Sequence, residues 1–563
     1  MKPSDLGLPA KFVNWRPGQD DAVIDTAVSL MGGQRFYVSA QPTGAGKSVY
    51  YTGVSRLLGA RRTLILTITK VLQDQLGNDF GSMGLVKVKG QNNYPCWALR
   101  PPGTPHPSGA LRATGELHGL GPENGSCDDG PCHAGVECSL KSAGCSWFDQ
   151  VALARNSEIV VSNYDYWMYA NKYGDEPIGQ FDLLILDEAD ESPNKLADFV
   201  SVYISADELD DLLGCPLPPL DAGLEFWADW AGKWYTIAEE EFRELKAAKG
   251  SVSRIRRLRN LMGNLEDLKG AHKWKRGNPS KPEVFIPGMT TDWVAEPQAN
   301  GALFSPIWAH GYAERFLFNH IPRVVLTSAT IVPKTLTYLG LNFGQFVFNE
   351  RPSTFPINRR PIYVIEDAVR VGRNMSRGEE LVWMNKIDAI LQTRLDRKVI
   401  IHAVSYDRAR FIYEHSRYKK HMVLHSSQNT ADRINRFRTM AAPAILVSPS
   451  VKTGWDFPYD QCECQIIAKI PFADMRPMVI QARRKSDKRY LDYISLMSLI
   501  QSCGRGMRAD DDFCETFIVD GNAAWMLRRT SDMQPKFFKN AIRRITTIPA
   551  PPTGLRARRR LPL

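Results

Sequence analysis

Short, nearly continuous apolar runs alternate with stretches of three- and four-residue hydrophobic spacing, the pattern of a parallel sheet covered by helices. Arg35–Ala40 (RFYVSA), Thr63–Thr67 (TLILT), Ile159–Ser162 and Phe181–Leu186 (FDLLIL) are predicted strands, and a helix is predicted from about Lys47 after a Gly-rich turn. Between the second and third strands, roughly Gly90 to Ser146, neither period is present. From about Ala206 to Pro297 the texture is helical, with Ile255, Leu258, Met262, Leu265 and Leu268 on one face. Trp227, Trp230, Trp234 and Tyr235, at helical spacing, are predicted core of this insertion rather than a base-stacking platform. Strands return at Arg323–Thr327, assigned back to the first unit, and a second alternating unit starts near Pro361 with strands at Lys398–Ala403, Ala444–Ser448, Cys464–Ala468 and Thr516–Asp520. No internal repeat is visible.

Composition narrows the classes. At 563 residues, 43% hydrophobic and 23% charged, the chain is globular rather than disordered. Its length predicts about three to five units. No apolar run approaches the roughly 18 residues of a membrane span, and the start, Met1 to Val13, lacks an apolar signal core. A soluble, cytoplasmic protein of prokaryotic or viral context is expected, or a nuclear one if eukaryotic. The net charge of +10 suits a polyanionic partner. Five of the ten cysteines, Cys96, Cys127, Cys132, Cys138 and Cys145, fall in the aperiodic window.

Gln41–Ser48 (QPTGAGKS) follows a strand and opens a helix, the context in which a phosphate-loop pattern is credible. Thr43, Gly44, Ala45 and Gly46 would turn backbone N–H groups onto phosphates, Lys47 would supply charge to the β- and γ-phosphates, and the Ser48 hydroxyl can ligate Mg²⁺. Gln41 replaces the first glycine of the strict pattern. Asp187 and Glu188 follow FDLLIL and open the tetrad DEAD, so Asp187 can hold Mg²⁺ while Glu188 polarises the attacking water.

These residues resemble superfamily 2 helicases of the XPD/DinG (iron–sulfur, Rad3-like) group, from about Arg16 to Ala541. In that resemblance RPGQ (Arg16 to Gln19) makes Gln19 the adenine contact, TITKVLQDQ (Thr67 to Gln75) touches the nucleic-acid backbone, and Ser328 to Thr330 in LTSAT couples nucleotide state to domain movement. IHAVSY (Ile401 to Tyr406) resembles the fourth motif, and VSPSVKTGWDFP (Val447 to Pro458) the fifth, with Gly454 and Asp456 at its key positions. QSCGRGMR (Gln501 to Arg508) resembles the sixth, making Arg505 and Arg508 the arginine fingers. Asp190 departs from the group's usual histidine at the tetrad's end, which puts its coupling role in question.

The resemblance implies an α/β fold: two tandem RecA-like (P-loop NTPase) domains with a cysteine-rich metal-cluster insertion and a helical arch insertion in the first. The expected boundaries are 1–89, 149–205 and 301–355 for the first motor domain, 90–148 for the cysteine insertion, 206–300 for the arch, 356–547 for the second motor domain and 548–563 for a basic tail. KGQNNYPC, ending at Cys96, and CSWFDQ, starting at Cys145, resemble the approaches to the first and last cluster ligands. Cys132 and Cys138 are preferred between them, because Cys127 adjoins two aspartates; Cys127 with Cys132 is the alternative. Tetrathiolate ligation suits an iron–sulfur cluster, 4Fe–4S by resemblance, or zinc.

Basic clusters at Ser253–Asn260, His272–Gly277, Ala482–Arg489 and in the tail RARRR offer sequence-independent phosphate contacts, with Trp274 as a stacking residue; a solvated helix face is as good a reading for Arg254 to Arg259. The expected protein is a monomeric, ATP- and Mg²⁺-dependent DNA helicase acting on single-stranded and forked DNA, 5′ to 3′ by resemblance; the sequence does not choose among DNA repair, replication and recombination. An RNA-directed remodelling ATPase and a non-motor, metal-stabilised nucleic-acid-binding protein are the alternatives. Nothing in the sequence names a protein partner.

Overall fold

A computed structural model describes all residues except 100–124, 134, 143, 174–176, 249, 276–291, 450–454, 456, 508–510 and 553–563, and the side chains of 173 and 272–275. Two seven-stranded parallel sheets form the frame. The first runs in the order Phe346–Glu350, Phe36–Ala40, Arg323–Ser328, Leu183–Asp187, Thr63–Thr67, Ile159–Asn163, Leu85–Lys87. The second runs Met422–Leu424, Ala444–Ser448, Lys398–His402, Cys464–Ile467, Glu515–Ile518, Ile362–Ile365, Ile542–Ile545. The central strands are buried along their whole length, as parallel strands with helices on both faces must be, which is why they read as unbroken apolar runs.

The edge strands were not visible in that pattern. Phe346–Glu350 and Ile542–Ile545 are only partly buried, so their side chains carry no continuous apolar signature. The stretch taken as helical up to Pro297 also needs correction. It ends in a strand, Trp293–Gln298, which pairs antiparallel with Gly301–Pro306, itself antiparallel to Val202–Ser205. Trp293 and Ala295 are buried and Val294 and Glu296 less so, a two-residue alternation too short to stand out beside the long helices.

The helical insertion is a pair of 24-residue helices, Leu224–Ala247 and Val252–Lys275, each about 36 Å long. Ile255, Leu258, Leu265 and Leu268 are buried, as their spacing predicts, with Met262 packed alongside. Trp227 is buried edge-on to Phe304, and Trp230, Trp234 and Tyr235 pack on the same core, so these aromatics hold the insertion on the first sheet domain. Among the described residues, no helix is long and apolar enough to cross a membrane.

The two sheet domains meet through aromatic packing. Trp308 stacks on Tyr338, with Tyr490 edge-on to both. Arg483 lies over Trp308 and donates to Ile307 O at 2.7 Å, while Tyr338 donates to Asp487 at 2.7 Å.

Candidate active site

The strand Phe36–Ala40 ends at the Gln41–Ser48 loop, and the helix Lys47–Leu57 starts within it. Gly44 and Gly46 take φ of +80° and +76°, the left-handed region open to glycine at no steric cost, and this turns the loop's backbone inward. A β-carbon at Gly46 would fall 2.6 Å from Gln19 Nε2, so the glycine also makes room for that side chain. Gln19 is buried and donates to Gly46 O at 2.8 Å and Ala45 O at 3.3 Å. The Arg16 guanidinium donates to Gly44 O. RPGQ therefore grips the phosphate loop with both its first and last residues; the sequence reading singled out only Gln19, although Arg16 stood in the same motif.

Lys47 Nζ lies 2.6 Å from Glu188 Oε1 and 3.4 Å from Asp187 Oδ1. Burial opposes its positive charge, but the two carboxylates outweigh that and hold its pKa above the ordinary lysine value. Burial pushes the Asp187 carboxyl up, with Lys47 pulling against it. Glu188 is also disfavoured by burial, yet Lys47, a hydrogen bond from Ser328 and the charge of Arg505 bring it below the usual range. Glu188 has φ +51° and ψ +46°, a left-handed conformation costly for a residue with a β-carbon. That turn aims its carboxylate back at Lys47.

Asp190, the departure from the group's histidine, is the most connected acid of the tetrad. Ser328 donates to its Oδ1 at 2.5 Å, and Thr330 donates to its Oδ2. From the second motor domain, Gln501 Nε2 donates to Asp190 Oδ2 at 3.2 Å and Glu191 Oε1 at 3.0 Å. Burial, then repulsion from Glu188 and Glu191, push its carboxyl up to about 6. An aspartate here links LTSAT and QSCGRGMR directly. The structure thus brings together Gln19, Thr43, Gly44, Ala45, Gly46, Lys47, Ser48, Asp187, Glu188, Gln501 and Arg505; Gly454, Asp456 and Arg508 lie outside the described residues. The Asp187 and Glu188 carboxylates and the Ser48 hydroxyl are oxygen donors suited to a hard cation such as Mg²⁺.

All five cysteines of the aperiodic window line one small pocket, walled also by Trp97, Leu140 and Phe148. Cys96, Cys127 and Cys145 are buried, and Cys132 and Cys138 partly so. Cys127 Sγ is 3.9 Å from Cys145 Sγ. Hydrogen bonds with Cys127 draw both Cys96 and Cys145 down to about 6, while Cys127 itself is raised. Of the two aspartates beside Cys127, Asp128 lies 3.6 Å from His133 Nδ1. Asp129 accepts from Ser126 and Arg256 rather than facing the thiols, and Cys127 is as deep in the cavity as Cys96. Among the described residues no group of three or more His, Cys, Asp or Glu side chains stands at metal-holding distance. By donor chemistry the cavity suits a tetrathiolate centre: Cys127 and Cys145 already stand at the separation of thiolates on one tetrahedral ion, and a multi-iron cluster would need the thiols to move apart.

The basic clusters divide. Arg254 pairs with Glu241 at 3.9 Å, Arg257 with Asp211 at 2.9 Å and Glu208 at 3.3 Å, and Arg256 with Asp129 at 2.7 Å, while Arg259 donates to His133 O at 2.5 Å. This helix face is therefore committed to protein contacts, two of which dock the helical insertion on the cysteine segment. In Ala482–Arg489, Arg483 is buried and Arg489 pairs with Asp532, while Arg484, Lys485 and Lys488 stay exposed. The side chains of His272 to Lys275, Trp274 included, and the RARRR tail lie outside the described residues.

Residues 390–539 match the family described as helicase C-terminal domain. An XPD helicase structure is similar with TM-score 0.60 at 13% identity, over 95% of this chain and 100% of its own. S. tokodaii Xpd4 is similar with TM-score 0.58 at 12% identity, over 94% of this chain and 100% of its own. No curated relative matches the chain in sequence. At such identities the likeness is one of fold, and it is the fold of tandem RecA-like motor domains. The matched helicase C-terminal domain falls within the second of these two domains.

Proposed function

We propose that the protein is an ATP-dependent DNA helicase that translocates 5′ to 3′ on a single strand and unwinds forked duplexes. The observation that carries this reading is the meeting of Lys47, Asp187 and Glu188 at the end of one sheet with Gln501 and Arg505 from the other. Charge from both domains converges where phosphoryl transfer needs it.

ATP would enter with Gln19 at its base and its phosphates along Thr43 to Ser48. The Lys47 ammonium then transfers from Glu188 to the β- and γ-phosphates, and Glu188 is released to orient water. Asp187 and Ser48 would hold Mg²⁺, which supplies neutralisation of phosphate charge when bound. Arg505, with Arg508, stabilises the charge that develops on the leaving phosphate. Gln501, through Asp190, Ser328 and Thr330, senses whether the acidic strand has closed on the second domain. Exposed Arg484, Lys485 and Lys488 offer backbone contacts to a strand. In the cysteine cavity, Cys96, Cys145 and two of Cys127, Cys132 and Cys138 would hold an iron–sulfur cluster or zinc, which would provide the core this Gly-rich segment lacks.

Fork substrates with a single 5′ or 3′ tail test the reading, alongside ATPase stimulation by single-stranded DNA and RNA and metal analysis of the same preparation. Unwinding of 5′-tailed forks with stimulation by DNA is expected. Unwinding of only the 3′-tailed fork overturns the polarity, and stimulation by RNA alone favours the RNA-directed alternative.

A further inference from the structure

The chain leaves the first sheet beside the strand that feeds the phosphate loop. Phe346–Glu350 runs parallel to Phe36–Ala40, register Phe36↔Phe346 through Ala40↔Glu350, and Arg351 N donates to Ala40 O at 2.9 Å. Two strands ending level deliver their next residues to the same place. One continuation is the phosphate loop; the other, residues 351–356, crosses towards the second motor domain.

Phe355 lies on that crossing. A β-carbon at Gly44 would fall 1.9 Å from Phe355 Cζ and 2.7 and 2.8 Å from its Cε atoms, so the ring rests directly on the glycine. The rest of Phe355, the last residue of the range expected for the first motor domain, packs into the core of the second. It is buried in a cluster with Ile400, Phe437 and Phe457, and its carbonyl accepts from Arg360 Nε at 3.1 Å. A side chain rooted in one domain's core and pressed on the other domain's loop cannot follow both when they move apart.

We propose that Phe355 is a positioning residue for the nucleotide: a buttress by which the second motor domain holds Gly44, and with it the phosphate loop, in its binding conformation. The inference rests on the nucleotide reading above. It makes affinity for nucleotide depend on domain closure before any arginine finger engages, and it gives Gly44 a steric reason beyond its positive φ.

Binding of a fluorescent ADP analogue to the full chain reads the loop without chemistry. Phe355→Ala is expected to weaken ADP binding about tenfold and to raise KM for ATP in step, with kcat changed less. Phe355→Leu keeps most of the core volume while removing the ring from Gly44; it is expected to show a smaller loss at unchanged Tm. Gly44→Ala should bind ADP poorly, and adding Phe355→Ala to it should cost less than Phe355→Ala does alone, because removing the ring relieves the clash with the new β-carbon. Folded Phe355→Ala and Phe355→Leu proteins that bind ADP as tightly as wild type overturn the proposal. A wild-type chain that binds neither ADP nor ATP overturns the nucleotide reading, and this inference with it.

Discussion

The nucleotide cleft and the cysteine cavity both crowd groups that resist being buried together, but they hold them by different means. In the cleft, Asp187, Glu188, Asp190 and Glu191 follow one strand, and their charge is met by Lys47, Ser328, Thr330 and Gln501 on neighbouring elements. Backbone pairing on both sides of Leu183–Asp187 fixes those positions without any ligand. In the cavity, four of the five thiols stand on turns and irregular chain and Cys145 caps the helix Ser146–Arg155, while Pro95↔Ser126 is an isolated bridge between them. There is little backbone ladder to set their spacing. Sites at the ends of parallel strands come preorganised, whereas a site on irregular chain depends on what it binds.

Breaking the cleft should therefore abolish chemistry and spare the fold. Lys47→Ala is expected to lower ATPase by about a thousandfold or more, with single-stranded DNA binding by fluorescence anisotropy largely kept; hydrolysis at the wild-type rate would place the active site elsewhere. Breaking the cavity should do the reverse. Cys96→Ser or Cys145→Ser is expected to lose bound metal and fork unwinding, and to open residues 90–148 to limited proteolysis, while ATPase falls by less than about tenfold. Equal protease resistance with and without metal would remove the contrast.

A finer test lies inside the cleft. The Asp190 carboxyl is raised from 3.8 to about 6, so its contribution to stability is full below pH 3.8 and lost as pH rises through about 6. ATPase profiles are expected to inflect near pH 6 in wild type and to flatten in Asp190→Asn, with activity reduced about tenfold because Ser328, Thr330 and Gln501 lose their shared charged acceptor. The smallest effect is expected where the two insertions touch. Arg256 and Asp129 are partly exposed, and such pairs contribute about 0–1 kcal/mol. Arg256→Ala with Arg259→Ala should leave Tm nearly unchanged and raise only the protease sensitivity of the helical pair.

The same contrast explains what the sequence made legible. QPTGAGKS, DEAD and LTSAT end buried strands whose apolar runs stand out, so both their type and their place were readable. Gln501 could be named from its motif, but its two acceptors on the opposite domain depend on how the sheets face each other. Asp190 looked like a weakness because one residue type was compared with another; its three partners place the carboxylate between LTSAT and Gln501. Arg254 to Arg259 were ambiguous because a charge run says nothing of what lies opposite, and opposite them lie acids and a carbonyl oxygen. Phe355 had no signal at all. One phenylalanine in an irregular stretch becomes informative only when Gly44 is seen beneath it.

The strand that feeds the phosphate loop sits between Arg323–Ser328 and Phe346–Glu350. During synthesis, Phe36–Ala40 therefore waits while about 290 further residues are made before its first neighbour appears; at ribosomal speed that is about 15–60 s. Throughout that interval an apolar strand and a glycine-rich turn have no sheet to join. The nascent first motor domain is thus the part of this protein most exposed to aggregation, and the part whose yield should respond most to slowed translation or to chaperone supply.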